Sequence, residues 1–332
     1  MNTFSPQQVR NITVFGAGSW GTALAIYLAK KGFHVLLWHN VEADAMRMEQ
    51  ARQNEVFLPG ITFPDSLHCS SDLAQAVSQA DLLLVVVPSH VFRQVLQQIK
   101  PYIKNNQALI WATKGIDSAS NQLLDQVAEE VFGKEIILGV LSGPNFATEV
   151  ARGLPDATTL ACRDARHLTG LCQIFASNLM QVDGTTDVTG TEIGGAVKNV
   201  IAIAVGVFDG LQLGANARSV LMTRGLAEII SLGQAAGAKA ETMIGLSGVG
   251  DLILTCTDDQ SRNRRFGLML GRNQSVDEAL QAIAQVVEGY TNVKEVLAFS
   301  KRFNLKMPIV EAVYQLCYEG MSPKELNDKF WS

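Results

Sequence analysis

The stretch Gly16-Ala17-Gly18-Ser19-Trp20-Gly21 restricts the fold of this chain more than any other six residues. It follows an apolar run, Ile12-Thr13-Val14-Phe15, and opens a segment with helical spacing, Ala23 to Ala29. A strand, a glycine turn and a helix in that order turn a G-x-G-x-x-G pattern into a dinucleotide-binding hypothesis. Gly16 permits the turn, Gly18 lets backbone approach a pyrophosphate, and Gly21 allows helix to pack closely on strand. The first N–H groups of the helix, from Ser19 and Trp20 onward, then face the phosphates. The plainer reading is a glycine-rich turn of any α/β protein, but a second apolar strand, Val35 to Trp38, supplies the expected next element. The chain then reads His39-Asn40 where a carboxylate gripping a ribose 2′-hydroxyl usually stands. Glu42 comes late, and Arg47 and Arg52 are the nearest arginines, so the cofactor is NADP or NAD with the choice open.

At 332 residues the chain calls for two domains rather than one core. A net charge of −5 excludes nucleic acid as the main partner, since phosphate backbones demand basic stripes. An anionic small-molecule substrate must then be met by a local basic cluster. The five cysteines form no C-x-x-C pair, as expected of reduced thiols in a cytoplasmic protein. The five histidines are scattered without metal-ligand spacing, and no metal is expected. Met1 to Arg10 is polar, without the apolar stretch of a signal peptide. Val200 to Phe208 is among the longest apolar runs, well short of the roughly 20 residues of a membrane span, and none is expected.

Strand and helix patterns alternate up to about Met180–Val182, which predicts a doubly wound parallel sheet. Leu82–Val87 reads as a strand buried on both faces, Ala108–Thr113 as another with Lys114 closing it, and Ile136–Leu141 as the next. Near Thr189 the pattern changes, and Thr191–Phe208, Arg218–Ala236, Asp277–Gln285, Asn292–Phe303 and Ile309–Tyr318 read as helices. The expectation is therefore an α/β chain: a Rossmann-type domain over 1–190, followed by an all-α domain over 191–332.

Four places carry groups suited to chemistry. Lys198 is the one cation in an apolar, glycine-containing helix. It either snorkels to solvent or points into a cleft with a lowered pKa. Lys114 falls at the carboxyl edge of the sheet, where ligands of such folds bind, although most strand-end lysines are merely solvated. Asp251, after a glycine-rich turn, is a helix cap or a carboxylate that tunes Lys198. Ser261-Arg262-Asn263-Arg264-Arg265 is the densest basic patch, at a predicted helix start, with Arg262 the favoured anion ligand. Its alternative is a solvated face or salt bridges to Asp258 and Asp259.

Taken together, the segments GAGSWGTALA (16–25), VVVPSH (85–90), WATKG (111–115), SGPNFA (142–147), GGAVKNVIAIA (194–204), GANARSVLMTRGLAE (214–228), GVGDLILTCT (248–257), QSRNRRFG (260–267) and VVEGY (286–290) resemble the NAD(P)-dependent glycerol-3-phosphate dehydrogenases of the soluble type. The likeness runs from about Ile12 to beyond Pro308. It implies Lys198 as proton donor and acceptor, and Lys114 as a contact to both substrate and cofactor. It implies Gly143, Asn145, Asp251, Ser261, Arg262 and Asn263 around the substrate. Ser19, Trp20, His39, Asn40, Ala147, Arg262, Val286 and Glu288 would touch the dinucleotide. The resemblance also implies a homodimer that reduces dihydroxyacetone phosphate and feeds phospholipid synthesis. Asn145 departs from the hydroxyl residue expected there, though an amide serves the same hydrogen bond. Dehydrogenases of β-hydroxyacids or phosphogluconate, and a dinucleotide-binding regulator without turnover, are the alternatives.

Overall fold

The computed structural model describes residues 4–104, 107–133 and 136–332. It divides into two compact units. The first takes the chain up to Thr113 together with Leu124–Val188, and the second takes Lys114–Leu123 together with Thr189–Ser332.

In the first unit the strands are β1 (Asn11–Phe15), β2 (His34–Trp38), β3 (Gln53–Asn54), β4 (Leu58–Thr62), β5 (Leu67–Ser70), β6 (Leu82–Val85), β7 (Ala108–Trp111), β8 (Ile137–Ser142), β9 (Asp156–Ala161) and β10 (Met180–Thr185). Its helices are α1 (Ser19–Lys30), α2 (Glu42–Ala51), α3 (Leu73–Ser78), α4 (Ser89–Ile99), α5 (Leu124–Phe132), α6 (Ala147–Arg152) and α7 (Ala165–Phe175). Among the described residues, eight strands form one sheet in the order β10-β9-β8-β7-β6-β1-β2-β5. Successive residues of a strand point to opposite faces, and both faces are covered here. Leu82 and Leu84 of β6 join the core under α1, α6 and α7, while Leu83 and Val85 join the core under α3, α4 and α5.

The sheet is not wholly parallel, as the alternating pattern had suggested. β9 pairs antiparallel with β8, through Val140–Ala161 and Ser142–Thr159, and β10 runs parallel to β9. The six residues of α6 lie in the β8–β9 connection. An antiparallel neighbour does not require the connection to cross back over the sheet as a parallel one does, so a short helix suffices. A second sheet of two strands joins β4, which contains Pro59 and Gly60, antiparallel to β3.

The second unit consists of α8 (Val188–Gly210, its first residue in the first unit), α9 (Gly214–Ala235), α10 (Ala240–Met243), α11 (Asp251–Thr257), α12 (Arg262–Gly271), α13 (Val276–Ile283), α14 (Glu288–Lys301), α15 (Pro308–Tyr318) and α16 (Pro323–Trp331). Of these, α8 is long and apolar enough to cross a membrane by length and composition, longer than the run noted in the sequence. Its most apolar window is 89 % buried, and its side chains Val197, Val200, Ile201, Ile203 and Val207 are the centre of the unit's core. A helix apolar all round belongs inside a domain as readily as in a bilayer.

Strand β7 stops at Trp111, so Lys114 does not close a strand. Lys114–Leu123 leaves the sheet and joins the helices. Ile116 and Leu123 pair with each other and are buried in the helical core. The Asn121 amide donates to the Glu295 carbonyl, and Arg302 donates to the Asn121 carbonyl. This excursion departs from a division at residue 190 alone. It is held by contacts remote in sequence, which local periodicity does not report.

Candidate functional site

In the first unit the glycine turn forms as the motif predicts. Gly16 adopts φ +111°, a conformation that disfavours a side chain, and its N–H donates to the Trp38 carbonyl. A Cβ at Gly21 would stand 1.9 Å from the Gly16 carbonyl oxygen, so only glycine lets the first turn of α1 lie against the loop. At Gly18 a Cβ would meet nothing within 4 Å. That open backbone, at the start of α1 where no side chain caps the helix, has the room and the N–H donors that a diphosphate needs. The residues present therefore fit a dinucleotide.

Around this turn lie the other expected cofactor contacts of the unit. Trp20 is half-buried against the α1 core, and Ala147 begins α6, which packs on α1. His39 follows β2, and its Nδ1 accepts from the Val41 N–H at 3.1 Å; Asn40 beside it is exposed. A cavity of about 180 Å³ is lined by Ala17, His39, Asp44, Arg47, Asn54 and Phe57. Of the two arginines noted in the sequence, Arg47 borders this cavity and pairs with Asp44, whereas Arg52 turns away to Glu49 and the Pro64 carbonyl. Gly143 is buried, and a Cβ there would lie 2.8 Å from the Thr158 Cα. The Asn145 side chain donates to the Ala157 carbonyl at 2.9 Å, an anchor that a hydroxyl residue would reach less far to make.

The second unit gathers most of the expected charged groups. Lys198 points into the protein rather than snorkelling out, and only 7 % of it is exposed. Its Nζ donates to Asp251 Oδ1 at 2.7 Å and to Thr255 Oγ1 at 2.7 Å. Lys114 Nζ donates to the other carboxylate oxygen, Asp251 Oδ2, at 2.5 Å. Two ammonium groups thus share one buried carboxylate. Burial, helped by the Lys114 charge, pushes the Lys198 pKa down to about 8 against the pull of Asp251. Burial alone would raise the Asp251 carboxyl, but the charges of Lys114 and Lys198 outweigh it and hold the group below its usual range.

Local sequence explains this placement. A single wide turn, Leu246–Gly250, delivers Asp251 as the first residue of α11. A Cβ at Gly248 would lie 1.9 Å from the Met243 carbonyl, and one at Gly194 would lie 2.4 Å from the Ser247 carbonyl. Gly194 lets α8 close on the turn that carries Asp251. Thr255, one helical turn after Asp251, was missed in the sequence; its signal is the Asp251–Thr255 spacing of four residues.

A second network starts one residue on. Asn199 Nδ2 donates to Glu288 Oε2 at 3.1 Å, and Asn263 Nδ2 donates to Asn199 Oδ1 at 2.9 Å. The Gly289 N–H donates to Asn263 Oδ1 at 2.8 Å, so α8, α12 and α14 meet here. Asn199 was not among the expected site residues. Ser261 caps α12 by accepting the Arg264 N–H. Arg262 is half-buried, its Nη1 3.4 Å from Gln285 Oε1, and Val286 beside Gln285 is exposed. Arg264 takes the salt-bridge alternative rather than the solvated one: it is buried and ion-paired with Asp259, and also with Asp209, which the sequence did not single out.

The chain is similar to known proteins over nearly its full length. Residues 11–168 match the family model for the NAD-dependent glycerol-3-phosphate dehydrogenase N-terminus, and residues 187–328 match that for its C-terminus. A relative named glycerol-3-phosphate dehydrogenase [NAD(P)+] from Aliivibrio fischeri is 52 % identical over 93 % of this chain and 91 % of its own length. One of the same name from Cronobacter sakazakii is 50 % identical over 98 % of this chain and 95 % of its own. The crystal structure of glycerol-3-phosphate dehydrogenase from Coxiella burnetii superposes with a TM-score of 0.94 at 40 % identity, covering 98 % of this chain and 99 % of that one. With its glycine turn, its two lysines on one buried carboxylate and these likenesses, the chain belongs to the NAD(P)-dependent glycerol-3-phosphate dehydrogenase family.

Proposed function

We propose that this enzyme interconverts dihydroxyacetone phosphate and sn-glycerol 3-phosphate, using NADH or NADPH and the corresponding oxidised forms. The observation that carries the mechanism is the buried Lys198 ammonium, oriented by Asp251 and Thr255 and brought to a pKa of about 8. A group with that pKa gives up or takes a proton readily near neutral pH. The Gly16–Gly21 turn would hold the dinucleotide, which would supply the hydride for the ketone carbon and accept it in the reverse direction. Lys198 delivers its proton to the oxygen as the carbonyl becomes an alkoxide, so hydride and proton together give the secondary alcohol. Asp251 stays ionised throughout and keeps the Lys198 proton aimed. Lys114 adds a second positive charge to the site, which stabilises the developing oxyanion.

The start of α12 is the proposed phosphate site. The Ser261 side chain, the guanidinium of Arg262 and the amide of Asn263 surround a helix N-terminus, where free N–H groups and the helix dipole favour an anion. Gly143 and Asn145 complete the proposed substrate contacts, and Trp20, His39, Asn40, Ala147, Val286 and Glu288 those to the dinucleotide. The family likeness further supports a cytoplasmic homodimer that supplies glycerol 3-phosphate for phospholipid synthesis, which sedimentation and fractionation would test.

The assay is absorbance of the reduced nicotinamide with dihydroxyacetone phosphate, run with NADH and NADPH in parallel. Oxidation of either, with glycerol 3-phosphate as product, is the expected result. A protein that binds the dinucleotide but oxidises neither would be a different dehydrogenase or a sensor.

A further inference from the structure

Helices α8 and α12 lie backbone against backbone. A Cβ at Gly267 would stand 1.9 Å from the Ile203 carbonyl, one at Gly206 2.1 Å from the Arg264 carbonyl, and one at Gly271 2.4 Å from the Val207 carbonyl. The contacts advance along both helices in the same direction: Asn199 meets Asn263, Ile203 meets Gly267, and Val207 meets Gly271. The two helices therefore run parallel, and the start of α12, with Ser261 and Arg262, lies at the level of Lys198. A glycine seam brings helices close but offers no side-chain knobs to stop one sliding along the other. Register must come from groups at the flanks of the seam.

One such group is Asn199, already described. The other is Asp209, which the sequence did not single out. It follows Lys198 by eleven residues, about three helical turns, and its side chain is only 8 % exposed. The Arg264 guanidinium grips it by Nε at 3.0 Å and Nη2 at 2.7 Å, both on Oδ2. Arg218 of α9 stands 2.9 Å from Oδ1, and Arg264 also reaches Asp259 beside the start of α12. Arg264 is two residues from Arg262, so the fork ties the far end of the helix bearing Lys198 to the first turn of the helix that holds the proposed phosphate site.

We propose that Asp209 is a positioning residue for the substrate phosphate: through Arg264 it fixes the register of α12 on α8, and so the distance between the phosphate ligands and the proton donor. The proposal rests on the reading of the α12 start as the phosphate site. Displacements of an ångström between a binding group and a reacting group cost large factors in rate. The effect of loosening this tie falls on the phosphorylated substrate and spares what does not use the phosphate site.

The test compares kcat/KM for dihydroxyacetone phosphate with that for dihydroxyacetone, which lacks the phosphate. Asp209→Asn keeps the size of the side chain and removes its charge. Arg264→Lys keeps a charge and removes the fork, and it decides the matter where the first variant does not fold. The expected result is a KM for dihydroxyacetone phosphate raised about tenfold, with dihydroxyacetone turnover and the KM for the reduced dinucleotide within about twofold of the parent. Equal losses on both ketones, or an unchanged KM in folded variants, would overturn the proposal. Arg262→Ala separates the two layers. If it abolishes the preference for the phosphorylated ketone while Asp209→Asn and Arg264→Lys keep it, the positioning role fails alone. If it leaves that preference intact, the phosphate reading fails and takes the proposal with it.

Discussion

At Gly18, in the turn that opens α1, a Cβ would meet nothing within 4 Å, whereas at Gly267 in α12 it would stand 1.9 Å from the Ile203 carbonyl. In the first unit the absent side chain leaves space on the surface of a loop, beside N–H groups that the protein does not use itself. In the second the absent side chain is already filled by another helix. In the proposed reading the first arrangement is a site built from backbone, to which a ligand comes. The second is scaffolding that brings side chains together, and the proposed chemistry rests on Lys198, Lys114 and Asp251 within a few ångströms of one another. A backbone site tolerates side-chain changes around it as long as its face stays open. A buried charge cluster does not tolerate the loss of a single group.

The largest effect expected from that contrast is on turnover. Lys198→Ala removes the proton donor and leaves Asp251 with one ammonium partner, and kcat should fall by about 10² to 10⁴ in steady-state assays. A drop of less than tenfold in a folded variant removes Lys198 from the role. Gly267→Ala comes next. In an exposed helix this change would add stability by about 1 kcal/mol, but against the Ile203 carbonyl it should cost about 1–3 kcal/mol, read as a fall in denaturation midpoint. A neutral or stabilising result would mean that the seam between α8 and α12 is looser than described. The smallest effect is the most selective. Gly18→Ala should leave the denaturation midpoint within about 0.5 kcal/mol of the parent. Its affinity for the dinucleotide should nevertheless weaken about tenfold, about 1.4 kcal/mol, in a fluorescence titration. Unchanged affinity would mean that the open face at Gly18 is not where the diphosphate lies.

Legibility in the sequence follows the range of the forces involved. The glycine turn, the buried runs of β6 and β7 and the Ser261 cap are set by neighbours in sequence, and each forms where the pattern predicts, with β6 and β7 both ending two residues early. The direction of β9 was not legible, because a parallel and an antiparallel strand show the same apolar run. Nor was the excursion of Lys114–Leu123 to the helical unit, which depends on Glu295 and Arg302 about 180 residues away. Lys198 and Asp251 stood out as charged groups in small, apolar surroundings. Asn199, Thr255 and Asp209 did not, since a polar residue on a helix looks alike in sequence whether it faces water or a partner. For Arg264 the sequence left a solvated face and an ion pair both open: among three arginines in four residues, only the fold tells which one is buried.

The central claim is that Lys198 supplies the proton in ketone reduction, and the pH profile of kcat tests it most directly. Burial lowers the lysine pKa from 10.5 to about 8, and reduction requires the charged form. The account predicts that kcat for dihydroxyacetone phosphate reduction is level below pH 8 and falls tenfold per pH unit above it, while glycerol 3-phosphate oxidation rises through the same region. A reduction rate that stays flat from about one pH unit below 8 to two above, with chemistry shown to limit turnover, would contradict it.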